Sequence, residues 1–188
     1  MTILDGLLIF VGVMVLVICA LDGFLRAVVM LVSFYLLTTA VGLLTLATEA
    51  IRGVAVTLVG VLGGHVPDLI ITQTLIFAVL TTLLFIGSYF LSKLIFRDTT
   101  LPKLQVLDNI LGAIVGIVLA SLIMAVIYNT WGVAVSVRWQ NAQAWYNTWA
   151  AYSSSILRPY MREILLTYRP LYFMFRFIEY PPFFILQA

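Results

Sequence analysis

ILGAIVGIVLASLIMAVIY, residues 110–128, carries no charged side chain. It is about as long as the ~20 residues a helix needs to cross ~30 Å of hydrocarbon. A helix on a water-facing surface keeps a polar stripe, and this stretch has none. Three further stretches read the same way. They are Ile3–Leu21, with Asp5 near its start, Ala27–Ala47, and Leu69–Ser88, which continues to Phe96 with Lys93 interrupting. Four such segments predict an all-α integral membrane protein with four transmembrane helices.

Composition supports the same class. The chain has 188 residues, 63% of them hydrophobic and 10% charged, where soluble domains average ~25% charged. That length suits one compact bundle and leaves no room for a second enzymatic domain of usual size. A net charge of +2 gives no footprint for nucleic acid. The single cysteine, Cys19, falls inside the first span and is read as a small buried apolar residue. Met1-Thr2 lacks the positive charge of a signal peptide, so the first stretch is read as a retained helix.

The connections set the topology. Asp22-Gly23-Phe24-Leu25-Arg26 is a tight turn, with Gly23 supplying backbone freedom. Asp22 and Arg26 sit at the membrane boundary, where charges reach water. A turn this short predicts that helices one and two form an antiparallel hairpin. The second loop, residues 48–68, is apolar and glycine-rich over Val54–Leu62. That piece is too short to span and is read as interfacial or re-entrant. The third loop, residues 97–103, is polar and faces solvent.

The last sixty residues differ in kind. Trp131, Trp139, Trp145 and Trp149 are all the tryptophans of the chain. Trp and Tyr collect where hydrocarbon meets water, so residues 131–155 read as interfacial. Ser153-Ser154-Ser155 marks a break, and Pro159 suits the first turn of a new helix. At ~100° per residue, Arg158, Arg162, Arg169 and Arg176 fall within an arc of about 40°. Tyr160, Ile164, Leu171, Met174, Phe175 and Ile178 fall opposite. This predicts C-terminal interfacial amphipathic helices with arginines toward phosphates, kinked or split at Pro170. The expected organisation is a four-helix transmembrane domain, residues 1–130, and an aromatic, arginine-rich interfacial tail, residues 131–188.

Positive charge near the spans lies at Arg26, Lys93, Arg97 and Lys103. That count puts loops one and three inside the cell and both termini outside. Counting every tail arginine gives the reverse.

Four features resemble the colicin V production protein (CvpA) family of bacterial inner-membrane proteins over residues 1–130. Asp5 opens helix one, Gly23-Phe24-x-Arg26 leads into helix two, and a long third helix ends in a basic loop. Helix four opens with Asp108-x-x-Leu111-Gly112-x-x-x-Gly116. The resemblance implies a bacterial inner-membrane location, extracytoplasmic termini and a role in export or envelope homeostasis. The chain departs from the family pattern at Asp22, usually Arg, and at Ala27, usually Glu. Asn109 and Leu119 also stand where arginines are common. The aromatic tail is unusual for the family.

Candidate chemistry is sparse. His65 is the single histidine; it is read as an interfacial polar residue or as one axial ligand to a pigment or metal. No triad, metal-ligand or phosphate-loop motif occurs, so no enzymatic activity and no cofactor are expected. The spans hold hydroxyls, among them Ser33, Thr38, Thr39, Thr81, Thr82 and Ser121, with Gln73 near one end. These are expected to bond to their own helix backbones. Gly112, Gly116 and Ala120 form a small-residue face whose partner is expected to be Gly42 of helix two or another subunit.

Two functions follow as expectations. One is a non-enzymatic scaffold or accessory subunit, partnered by the bilayer and by other membrane subunits. It would dock through Trp131, Trp139, Trp145, Trp149 and the four arginines. The alternative is an oligomeric channel or transport component. The absence of charge from the middle of the spans favours the first.

Overall fold

The computed structural model of the chain describes residues 2–45, 53, 57, 69–96, 105–137 and 142–170. The Val54–Leu62 segment, His65, the third loop, Trp139, Arg176 and the tail beyond Pro170 lie outside the described residues.

The described residues are helical, with no strand among them. In chain order the helices are α1 (Ile3–Asp22), α2 (Phe24–Leu44), α3 (Leu69–Ile95), α4 (Gln105–Ser136), α5 (Ala142–Ser153) and α6 (Arg158–Leu165). A 3₁₀ turn, Leu166–Tyr168, follows α6. The first four are long and apolar enough to cross a membrane. At 1.5 Å per residue, the 32 residues of α4 reach about 48 Å, longer than a hydrocarbon core. Trp131 lies in its last two turns, and a division at residue 130 runs through this helix.

A single residue joins α1 to α2. Gly23 has φ 84° and ψ 173°, a conformation that a Cβ would strain. Its N–H donates to Cys19 O at 3.1 Å, closing α1, while its own carbonyl accepts from Ala27 N. The expected hairpin is looser than its turn suggests. Contact between α1 and α2 is slight, and both pack chiefly along α4. Helix α4 is thus the central element: 44% of its apolar window is buried within the protein, against 17% for α3.

The glycine face explains why α4 takes that place. A Cβ at Gly112 would lie 2.5 Å from Cys19 O and 2.9 Å from the Gly23 carbonyl carbon. One at Gly116 would lie 2.7 Å from Cys19 Cβ. Only hydrogen fits at either position, so the α1 and α4 backbones come into direct contact. Ala120 is buried one turn further on. The partner of this face is therefore α1 of the same chain. Gly42 is buried on α2 and is not what the two glycines meet.

The segment after α4 folds back. Helix α5 ends at Ser153 and α6 starts at Arg158 with Pro159 in its first turn, where a missing N–H costs nothing. Helix α6 gives way to the 3₁₀ turn at Leu166, and Arg169 and Pro170 are again helical. Leu166 O, which would await an N–H from residue 170, accepts from Arg169 instead. Met161, Leu165 and Tyr168 form the buried face, at i, i+4 and i+7. Tyr160, expected on the apolar side, is 65% exposed. Ile164 of the same expected face is half-buried against the core, and Leu171, Met174, Phe175 and Ile178 lie outside the described residues; the buried stripe lies beside the arginine arc.

Candidate functional site

The two ends of the bundle differ sharply. One end gathers the residues singled out at the first turn and the start of α4. Asp108 Oδ1 accepts the Phe24 N–H at 2.9 Å, capping α2, whose own N-cap is Gly23 and has no side chain. Its neighbour Asn109 has its amide beside Ala20 O and Gln105 O, and in the orientation those two acceptors require its nitrogen donates to each at 3.2 Å. Arg26 Nε and Nη2 donate to Phe96 O at 3.1 and 2.6 Å, placing positive charge at the C-terminus of α3.

Asp22 is 3.7 Å from Arg26 and 3.5 Å from Lys93. The Lys93 ammonium also lies over the Tyr89 ring, 4.6 Å from its centroid. Asp22 Oδ2 has no hydrogen-bond partner among the described residues. Asp22, Gly23, Arg26 and Asp108 are thus brought together, as clamps on three helix ends.

The opposite end is closed by an aromatic cap built from α5, α6 and the 3₁₀ turn. Tyr152 stacks on Tyr128 with centroids 4.7 Å apart, and Tyr128 OH donates to Tyr152 O at 3.0 Å. The Tyr152 ring occupies the space beside Gly132, where a Cβ would meet its ring carbon and hydroxyl at 2.6 Å. Arg158 lies 6.0 Å above the same ring.

Further along, Tyr168 is fully buried against α2. Thr38 has given its proton to Phe34 O, so the Tyr168 phenol, 3.0 Å away, donates to Thr38 Oγ1. Tyr35 packs on the Tyr168 ring at 4.8 Å and donates to Thr167 O at 2.6 Å. Burial pushes the hydroxyls of Tyr152 and Tyr168 above the ordinary phenol range.

A long-range latch fixes the cap to the start of the chain. Asp5 joins Thr2 in a capping box at the head of α1. Its Oδ2 accepts from Thr2 N at 2.7 Å, and its Oδ1 from Ser155 Oγ at 2.5 Å. The carboxylate is 1% exposed, so these donors stand in for water.

The expected docking set divides on this geometry. Trp145 is tied inward, its indole N–H donating to Val135 O at 2.9 Å. Arg158 is half-buried over Tyr152. Trp131 stands apart on α4. Trp149, stacked on Trp145 at 6.1 Å, faces out, as do Arg162 and Arg169.

Sequence reasoning passed over Tyr128, Gly132, Tyr152 and Tyr168, and read Ser155 only as part of a break. The spacing of Met161, Leu165 and Tyr168 was the signal available for the buried side of α6. Among the described residues no three His, Cys, Asp or Glu side chains converge. No family model, no curated protein and no solved structure matches the chain.

Proposed function

We propose that α1–α4 insert in the bilayer of a bacterial inner membrane and that the protein is a non-enzymatic, CvpA-like scaffold or accessory subunit. The observation that carries this reading is the outer face of the cap. Tyr146, Trp149 and Tyr160 are 58%, 43% and 65% exposed, beside the exposed Arg162 and Arg169. Their inner neighbours Trp145, Tyr152, Met161 and Tyr168 are locked to the bundle. Aromatic and arginine side chains dominate binding at protein interfaces. Holding them on a fixed platform lowers the ordering cost of association.

The charge pattern supports an orientation. Arg26 and Lys93 mark the clamped end as cytoplasmic, which sets the cap and the chain's N-terminus outside. The motif residues shared with the CvpA family, Gly23, Arg26 and Asp108, are engaged in holding helix ends, in keeping with a structural role. In the channel alternative, helix-four glycines would join subunits, but α1 already covers them.

The deciding experiment is native mass with subunit identification after gentle extraction from the source membrane. Co-migration with a larger assembly, lost in a Tyr146→Ala, Trp149→Ala, Tyr160→Ala variant that still folds, is the expected result. A homo-oligomer unaffected by those changes overturns the docking reading and favours transport.

A further inference from the structure

The end of α6 is tied to α2 below the top of the bundle. Tyr168 meets Thr38, and the Thr167 carbonyl accepts from Tyr35. Thr38 and Tyr35 lie six and nine residues before Leu44, the last residue of α2, roughly 9 and 14 Å along its axis. The other end of α2 is set at a boundary by Asp22, Arg26 and Lys93. With 21 residues, α2 is about 31 Å long and just covers ~30 Å of hydrocarbon. In a bundle inserted that way, the 3₁₀ turn is held inside the hydrocarbon slab. That is lower than the headgroup layer implied by the arginine arc in the sequence.

Two charges go down with it. Arg169 follows Tyr168 directly, and Arg162 precedes it on α6. Both are exposed, and among the described residues neither makes an ion pair. Glu163 is exposed as well, but it points ~100° away from Arg162 around the helix. An arginine facing lipid at this depth is costly unless it reaches an anion. Its long side chain relieves the cost by extending toward the phosphates and drawing them inward.

Spacing selects the lipid. Seven residues separate Arg162 from Arg169, so they stand about two turns apart on one flank, roughly 11 Å along the chain. Leu166 lies between them and is 48% exposed. The flank thus presents charge, apolar surface and charge in turn. Guanidinium groups grip phosphate by paired N–H donors, and phosphate is the anion that the bilayer itself supplies. A headgroup with one phosphate satisfies one of the two arginines. A headgroup with two phosphates on a short glycerol bridge satisfies both, with its acyl chains over Leu166.

We infer that the Arg162–Arg169 flank seats a doubly anionic phospholipid of the diphosphatidylglycerol class, one phosphate on each guanidinium. The site rests on the membrane insertion proposed above. It leaves Tyr146, Trp149 and Tyr160 as the docking face.

The test uses the full chain, with recovery in carbonate-washed phosphatidylcholine vesicles as the separate check on insertion. Loss of the chain to the wash overturns the insertion reading and the lipid site with it. The inserted chain is then extracted in detergent and titrated with diphosphatidylglycerol, and with phosphatidylglycerol at equal total charge, by native mass spectrometry. Expected is one tightly held diphosphatidylglycerol per chain and weaker binding of phosphatidylglycerol. Arg162→Gln and Arg169→Gln each weaken the first about fivefold, and the double variant about twentyfold. Both side chains are exposed, so thermal unfolding without lipid should match wild type and shows that the variants fold. Equal affinity for the two lipids overturns the proposal, as does an affinity unchanged in the double variant. If that variant keeps its lipid affinity but loses a native assembly in the source membrane, a partner's carboxylate holds these arginines instead.

Discussion

Asp108 Oδ1 accepts the backbone N–H of Phe24 at 2.9 Å, so a carboxylate on α4 closes the N-terminus of α2. The contact spans 84 residues of sequence. It is forced by Gly23, which turns the chain in one residue and has no side chain to cap with. Removing the cap in Asp108→Ala is expected to cost about 0.5–2 kcal/mol, read by denaturation of the solubilised protein. Asp108→Asn keeps an acceptor and should recover much of that. Gly23→Ala should do worse than either, because its Cβ runs into Asp108 Oδ2 at a φ only glycine accepts easily. An Asp108→Ala variant as stable as wild type would mean that water caps α2 equally well.

The glycines of α4 and α3 should respond to alanine with opposite sign. At Gly112 a methyl group meets the Cys19 carbonyl oxygen at 2.5 Å, and backbone on the other side cannot rotate away. Gly112→Ala is expected to cost about 1–3 kcal/mol. Nothing lies within 4 Å of a Cβ at Gly87, so Gly87→Ala should gain about 0.5–1 kcal/mol from helix propensity. Thermal unfolding of both variants in one detergent checks the pair. Equal effects would remove the case for close α1–α4 contact.

Asp5 and Ser155 stand 150 residues apart in sequence and 2.5 Å apart in space. Each single change leaves a buried polar group without its partner, at about 1.5–3 kcal/mol for a bond to a charged group. The Asp5→Ala, Ser155→Ala double variant should cost less than the sum, with a coupling of about 0.5–3 kcal/mol. Proteolysis within residues 154–157 should quicken in either single variant as the cap lifts. Strict additivity would show that the latch does not hold the cap.

These cases show what was legible in the sequence. The four apolar helices were, because hydrocarbon permits no charge in mid-span and each stretch declares its own length. The one-residue turn at Gly23 was nearly so. The partner of the Gly112–Gly116 face was not: small residues announce close approach but carry no address, and Gly42 looked as suitable as Cys19 and Gly23. The tail was only partly legible for a related reason. Aromatic side chains serve a membrane interface, a partner or the protein's own core equally well, and only the cavity beside Gly132 shows that Tyr152 turns inward. The buried stripe of α6 lies beside the expected one, because the short helix turns Met161 and Leu165 inward and leaves Tyr160 outside.

The inward phenols make the cap sensitive to alkali. Free phenols ionise near pH ~10, and burial raises Tyr152 and Tyr168 above that in the folded chain. Below pH ~10 both states are neutral and the stabilisation is complete. As pH climbs beyond it, the unfolded phenols lose protons while the folded ones hold theirs, so stability is lost on rising through the folded values. The cap should therefore release in alkali, seen as a rise in tyrosinate absorbance together with cleavage in residues 154–157. Tyr168→Phe loses its bond to Thr38, about 0.5–1.5 kcal/mol at neutral pH, but should flatten the alkaline loss, and the Tyr152→Phe, Tyr168→Phe variant should flatten it further. Release at the same pH and steepness in that double variant would place the sensitive group elsewhere.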